Sequence, residues 1–417
     1  MLFQNSVLQI GLFILSLLIL ATTLKADEPP QKPSRPPGNA MPAAANPNVQ
    51  ESVMKALAEA WPNRPEWLDM YTDILAGSQL GPNDGWFRRS VSRTRFDWIS
   101  ALKRFDRDGN QEISKAEFSG SDNDFARLDR DRDRLLTIAD FDFQENALAP
   151  TPGSMFFRMM DRDGNGKVTM AELDGFFKRA DTGSMGFISL ADMKLALDPK
   201  RPATASKSAG SKPPQAAAEG PSKETLIKGL FQQEIGSLQD GPALNEKARD
   251  FTLKTNDAKQ QVTLSKLVGP KPVVLIFGNF TCGPFRMQAG NVEKLYRRYM
   301  DRATFVMVYV REAHPSDGWQ MESNDQVGVR LTQPKTYDER VQVAQVCGQR
   351  LELGFPMLVD TMEDTVGAYF SGMPSRLYLI DSDGKIAFKN ARGPFGFKPE
   401  ELEQSLVLML QQTPAKN

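Results

Sequence analysis

The sequence predicts a multidomain chain, an all-α module followed by an α/β module, and three observations carry that reading. An acidic twelve-residue pattern recurs between residues 106 and 192, set among apolar residues at helical spacing. From residue 251 onward, apolar runs that suit buried strands alternate with helical stretches, the pattern of a sheet covered by helices. Between them, Asp198 to Ser222 is rich in Pro, Ala, Ser and Lys, as a linker is. At 417 residues the chain exceeds one ordinary domain. A net charge of −1 and a pI near 6.1 argue against nucleic acid as a partner. Two cysteines exclude a disulfide scaffold.

Residues 1–26 carry an apolar stretch, Ile10 to Leu20, followed by small or short residues. That length suits a signal peptide better than a spanning helix of about 20 residues, and Leu24-Lys25-Ala26 offers a cleavage site. Because Lys and Arg are missing ahead of it, an N-terminal anchor is the alternative; either reading exports the rest of the chain. Residues 27–50, with prolines at 29, 30, 33, 36, 37, 42 and 47, read as an extended linker.

Residues 51–197 form the expected helical module, opening with Met54, Leu57, Trp61, Trp67, Met70, Tyr71, Ile74 and Leu75 at helical spacing. Within it, Asp161 to Glu172 resembles an EF-hand calcium loop throughout. Asp161, Asp163, Asn165 and Glu172 supply side-chain oxygens, Lys167 a main-chain oxygen, and Gly166 the sharp bend. A second loop offers Asp106, Asp108, Asn110, the main chain of Glu112, and Glu117; Gln111 replaces the glycine and weakens the bend. A third offers Asp129, Asp131, Asp133 and Asp140, with Arg134 at the glycine position and Asp140 a carbon shorter than glutamate. The fourth, Asp181 to Asp192, places Gly183 and Met185 where oxygens belong and reads as a structural partner without an ion. Ca2+ is the expected cofactor, held constitutively, since exported modules bind it weakly where it is plentiful.

Residues 223–417 form the α/β module. Short strands at Phe251–Leu253 and Val262–Leu264 precede strand Val273–Phe277, helix Pro284–Tyr299, strand Phe305–Val310, helix Tyr337–Leu351 and strand Met357–Asp360. Leu377–Ile380, an Asp381–Gly384 turn, Ile386–Phe388 and a helix from Pro399 close it. The order is similar to the thioredoxin-like arrangement. That resemblance makes Pro374 a cis proline lying against a reactive sulfur.

The sulfur is Cys282, in Phe277-Gly278-Asn279-Phe280-Thr281-Cys282-Gly283-Pro284-Phe285. A cysteine at a helix start faces unpaired N–H groups and the positive dipole end, so its pKa is expected to be depressed. Phe285 stands where a redox pair would have its second cysteine, so one sulfur works without a neighbouring resolving partner. Cys347 sits in an amphipathic helix and reads as a small buried apolar side chain. Downstream, Tyr309-Val310-Arg311-Glu312-Ala313-His314-Pro315-Ser316-Asp317-Gly318-Trp319 ends a buried strand at the only histidine. Histidine can move a proton near neutral pH, with Glu312 as the group to orient it or raise its pKa.

Together these strings resemble the iodothyronine deiodinase family, over roughly residues 245 to 411. Cys282 stands where that family has selenocysteine; Thr281, Pro284 and Phe285 match the first motif, and Glu312, His314 and Trp319 the second. Asp360-Thr361-Met362 and Arg376-Leu377-Tyr378-Leu379-Ile380 also look like the family, while Phe355 stands where members often carry a cysteine. The resemblance implies an oxidoreductase in which Cys282 thiolate takes the halogen of an iodothyronine-like aromatic substrate. His314 gives a proton or polarises the phenol, and an external thiol reductant releases the sulfur. The alternatives are a general thiol oxidoreductase or peroxidase, and a non-catalytic calcium-dependent interaction protein.

Overall fold

The computed structural model describes residues 61, 64–80, 91–143, 151–181, 183–197, 221–394 and 396–412. The expected signal or anchor segment, the 27–50 linker and nearly all of the 198–222 linker lie outside the described residues. No helix among the described residues is long and apolar enough to cross a membrane.

The chain opens with α1 (Glu66–Leu75), β1 (Arg93–Thr94), α2 (Trp98–Phe105), β2 (Ile113–Ser114), α3 (Asp122–Leu128) and β3 (Leu135–Leu136). Then come α4 (Pro152–Met160), α5 (Met170–Ala180), α6 (Leu190–Leu197) and α7 (Lys223–Phe231). The α/β part follows as β4 (Thr252–Thr255), β5 (Gln261–Thr263), α8 (Leu264–Leu267), β6 (Val273–Gly278), α9 (Gly283–Tyr299) and β7 (Thr304–Tyr309). It continues with α10 (Glu322–Gln326), α11 (Tyr337–Arg350), β8 (Met357–Val359), α12 (Thr365–Tyr369), β9 (Arg376–Ile380), β10 (Ile386–Lys389) and α13 (Pro399–Leu410).

The main sheet runs β1-β10-β9-β6-β7-β8-β4-β5. β6, β7 and β8 are parallel, while β9 and β10 return antiparallel. All six residues of β6 are buried, as expected of a central strand covered on both faces, and this is why its sequence is a continuous apolar run. A central strand ending in a cysteine-led helix, followed by a cis proline and a hairpin, is the thioredoxin-like α/β fold.

The two expected modules are not separate bodies. β1 extends the main sheet by pairing with β10, Arg93 with Lys389 and Thr94 with Phe388. Phe105, Ile113, Phe118, Phe125, Leu128 and Leu136 belong to the same hydrophobic core as β6 and β9. The linker composition pointed to independence, but the apolar residues flanking the first two acidic loops find their burial on the α/β part. The last loop pair keeps a small core of its own, Met160, Phe176 and Ala180, with Val168 and Ile188 packed against it, and α1 shares another with α7 through Met70, Ile74, Leu226 and Leu230.

Candidate active site and cation loops

Cys282 is the N-cap residue of α9, with Pro284 in the helix's first turn, where a missing N–H costs nothing. The turn that presents it is held by Asn279. The Asn279 Oδ1 accepts from the Cys282 N–H (3.0 Å), the Ala313 N–H (3.2 Å) and the Thr281 hydroxyl (3.2 Å). Its Nδ2 donates to the Pro374 carbonyl at 2.9 Å. One amide therefore joins the cysteine turn, the histidine loop and the proline loop. The Met373–Pro374 bond is cis.

His314 is brought to this turn by its backbone N–H, which donates to Thr281 Oγ1 at 3.0 Å. Its Nδ1 lies 3.1 Å from the Trp319 carbonyl and its ring stands edge-on to Trp319, centroids 4.9 Å apart. A carbonyl only accepts, so Nδ1 carries the proton and Nε2 is the bare acceptor. Burial pulls the imidazole pKa down to about 4, so the ring is neutral at pH 7. Glu312 plays a different part from the one its spacing suggested. Its Oε2 accepts from the Thr281 N–H at 2.8 Å, and its Oε1 accepts the Tyr309 hydroxyl, whose oxygen in turn accepts the Phe280 N–H at 3.1 Å. It braces the cysteine turn and neither orients His314 nor raises its pKa. Burial pushes the Glu312 carboxyl above its ordinary value.

The expected depression of the Cys282 pKa is reversed. The sulfur is fully buried, and the loss of solvation pushes the thiol up to about 11, against the Phe285 N–H and the Arg286 guanidinium that favour thiolate. Desolvation outweighs the helix terminus in this closed arrangement. Arg286 supports the turn from below: it donates to the Phe280 carbonyl and to Asn324 Oδ1 (2.7 Å), and Asn324 Nδ2 donates to the Thr281 carbonyl (2.9 Å).

Two residues of the family-like strings have side chains engaged in packing and pairing. Phe285 is a core residue, packed edge-on to Phe397 and over Gly278. Arg376 pairs in register with Phe277, the residue before Gly278, so it lies across the sheet from Phe285 and α9. There the guanidinium is 1 % exposed and meets the Glu66 carboxylate of α1 at 3.3 Å. Arg392 joins the same carboxylate at 3.3 Å, and the pair holds Glu66 down at about 2 despite its burial. Cys347 is buried, as its helical setting suggested.

Asn279, Asn324 and Arg286 were not singled out in the sequence. Asn279 sits inside the cysteine string, but an asparagine in a loop carries no periodicity to mark it. Arg286 has the phase of a helical surface residue. Only the fold shows what either one touches.

Three acidic groups converge as the loops predicted. Carboxylate oxygens of Asp106, Asp108 and Glu117 lie within 4.8 Å of one another, as do those of Asp161, Asp163 and Glu172 and those of Asp129, Asp131 and Asp133. These oxygen sets suit a hard cation such as calcium. Lys167 and Glu112 occupy the main-chain positions, and the Asn165 and Asn110 side-chain oxygens accept the Lys167 and Glu112 N–H groups. Asp140 is a correction. Its oxygens accept from the Arg130 N–H (2.7 Å) and the Thr137 N–H (2.8 Å), the same two bonds that Glu117 and Glu172 make in their loops, but Asp140, a carbon shorter, is outside its converging group. In the fourth loop, Asp181 accepts from the Met185 and Gly186 N–H groups, and no acidic group converges there among the described residues.

The sequence profile of the iodothyronine deiodinases matches residues 228–409. The type I iodothyronine deiodinase of Xenopus laevis is 32% identical over 136 residues, 33% of this chain and 52% of that protein. The thyroxine 5-deiodinase of Rattus norvegicus is 31% identical over 164 residues, 39% of this chain and 51% of that protein. Among solved structures, the thioredoxin domain of a thiol-disulfide oxidoreductase from Bacteroides vulgatus is similar at 16% identity and a TM-score of 0.28, covering 41% of this chain and 98% of that one. The chain spans about half the length of the curated relatives it matches. The likeness lies in the α/β part; the cation loops fall outside it.

Proposed function

From the likeness of residues 228–409 to the iodothyronine deiodinases, we propose that this chain reductively dehalogenates iodothyronine-like aromatic substrates, with Cys282 as the attacking group. The observation that carries the reading is the junction at Asn279, which ties the Cys282 turn, the His314 loop and cis-Pro374 into one constellation. Family likeness alone does not supply that geometry for this chain.

The chemistry balances as follows. When the site opens to substrate, the Cys282 thiol gives its proton to the bare Nε2 of His314, and the thiolate attacks iodine. The carbon–iodine electron pair stays on the ring carbon, which takes the proton back from the imidazolium. The product is the deiodinated phenol and a sulfenyl iodide at Cys282. A first external thiol displaces iodide to give a mixed disulfide and a proton. A second thiol releases Cys282 as thiol and leaves as the external disulfide. Because His314 is neutral at rest, it acts first as a base. Glu312, Tyr309 and Arg286 are positioning residues that hold the turn.

Calcium belongs to the same proposal, held by Asp161, Asp163, Asn165, Lys167 and Glu172, by Asp106, Asp108, Asn110, Glu112 and Glu117, and more sparsely by Asp129, Asp131 and Asp133. It would neutralise clustered carboxylates and take no part in the chemistry. Export through the N-terminal segment completes the reading, in a compartment where calcium is abundant.

The test is iodide release from an iodothyronine with a dithiol reductant, comparing wild type with Cys282→Ser and His314→Ala. Cys282→Ser should abolish release, and His314→Ala should lower it about a hundredfold or more. Peroxide consumption without iodide release would instead favour a thiol peroxidase.

A further inference from the structure

The weakest of the three cation loops by sequence holds the clearest sign of a missing charge. Asp129 is 8 % exposed, and its Oδ1 is buried without a hydrogen-bond partner. Asp129 belongs to the group converging with Asp131 and Asp133, and its Oδ2 accepts the Arg134 N–H at 3.1 Å. A buried carboxylate with an unpaired oxygen, beside two further carboxylates, is costly unless something positive sits among them.

The loop's roots decide what the ion does. Leu128, just before Asp129, and Leu136, after Asp133, are both fully buried in the core that contains β6 and β9. The Asp140 carbonyl accepts from Gln404 Nε2 on α13 at 3.0 Å, and Arg130 donates to the Asp142 carbonyl at 2.7 Å. On the preceding helix, Asp124 meets Arg302 at 3.2 Å and Gln411 Nε2 at 3.1 Å. The C-terminal helix α13 packs in turn on α9, the helix that starts at Cys282, and just before α13 Phe397 stands edge-on to Phe285 of α9.

We infer that calcium held by Asp129, Asp131, Asp133 and the Leu135 carbonyl is a structural part of the thioredoxin-like domain, pinning α3 and α13 and so keeping the Cys282 core closed. This rests on the calcium reading of the loops but not on any dehalogenation. It differs from a tethered calcium module, whose ion would leave the redox core unaffected.

The experiment measures iodoacetamide labelling of Cys282 and Cys347 in the full chain, with calcium chloride or with chelator, and uses no substrate. Both thiols are fully buried, so labelling follows opening of the core. Calcium at about ten times its dissociation constant should slow both about tenfold, by mass action on the closed state. Asp131→Asn, at an exposed position, should lose that slowing; Asp133→Asn, equally exposed, reads the same quantity if the first variant does not fold. Asp174→Asn, exposed on α5 and outside the three acidic groups, should keep it. Equal labelling with and without calcium in wild type, or slowing kept in Asp131→Asn, overturns the inference. Failure of iodide release with the slowing intact would overturn only the deiodinase reading.

Discussion

The two pairs of acidic loops are built from one sequence pattern yet are anchored in opposite ways. The first pair, at 106 and 129, is joined by β2 and β3 and plants its apolar residues in the main core. The second pair, at 161 and 181, has three buried residues of its own and leaves Met170, Met185 and Phe187 79 %, 70 % and 58 % exposed. It touches the redox part through the Lys167–Glu352 ion pair (2.9 Å) and through close backbone contact. A Cβ on Gly166 would lie 2.2 Å from the Arg286 carbonyl, and one on Gly290 would lie 2.3 Å from the Gly166 carbonyl, so only glycines let the loop reach α9 this closely. The difference teaches that a repeated motif does not imply a repeated role. One pair is core; the other is docked on the helix that carries Cys282.

Core truncations separate the pairs most strongly. Leu136→Ala should cost about 2–5 kcal/mol of whole-molecule stability, since Leu136 is fully buried in the shared core. Phe176→Ala should loosen the second pair while leaving the main thermal transition within a few degrees. Equal shifts of the main transition, read by calorimetry, would erase the distinction.

Glycine substitutions come next. Gly166→Ala combines a left-handed backbone (φ 76°) with a collision against backbone, costing about 1–2 kcal/mol for the first and about 1–3 for the second. Gly186→Ala has φ 81° but open space around it, so only the first penalty applies. Protease sensitivity of the second pair should rise more for Gly166→Ala. Equal sensitivity would mean that the loop is not seated on α9.

A smaller effect comes from pH. Burial raises Asp161 to about 6 from an ordinary 3.8, so without calcium the folded loop holds a proton that the unfolded chain has lost. Its contribution to stability is therefore fullest below about 3.8 and is lost as pH rises through about 6. Hydrogen exchange at α5 in chelator should quicken over that window in wild type and not in Asp161→Asn. Calcium should cancel the trend by displacing the proton.

Much of this was legible in the residues. The strand-turn-helix around Cys282 and three converging acidic groups lie where spacing placed them, because each is a local pattern, and Pro374 is cis as the thioredoxin-like resemblance implied. What was not legible depends on distant partners. The thiol's pKa direction is set by burial, which a helix-start motif cannot report. The Glu66–Arg376 pair joins residues 310 apart, and β1 is only two residues long, below any periodic signal. The linker composition between residues 198 and 222 suggested independence for a helical module whose first loop pair is part of the main core.

In the proposed reaction the buried Cys282 sulfur itself removes the halogen once the site opens, with neutral His314 on the loop tied to Thr281. A single-turnover reaction tests this most directly: full-length protein, excess iodothyronine and no external thiol, with product and free thiols counted by mass spectrometry. The account predicts one deiodinated product per chain and loss of the Cys282 thiol with Cys347 untouched. If His314 stays as buried in the reacting site as it is here, where burial pulls its pKa down to about 4, the product-forming step should show no inflection near pH 6.5. Product formed with the Cys282 thiol still free, or undiminished in Cys282→Ser, would contradict it.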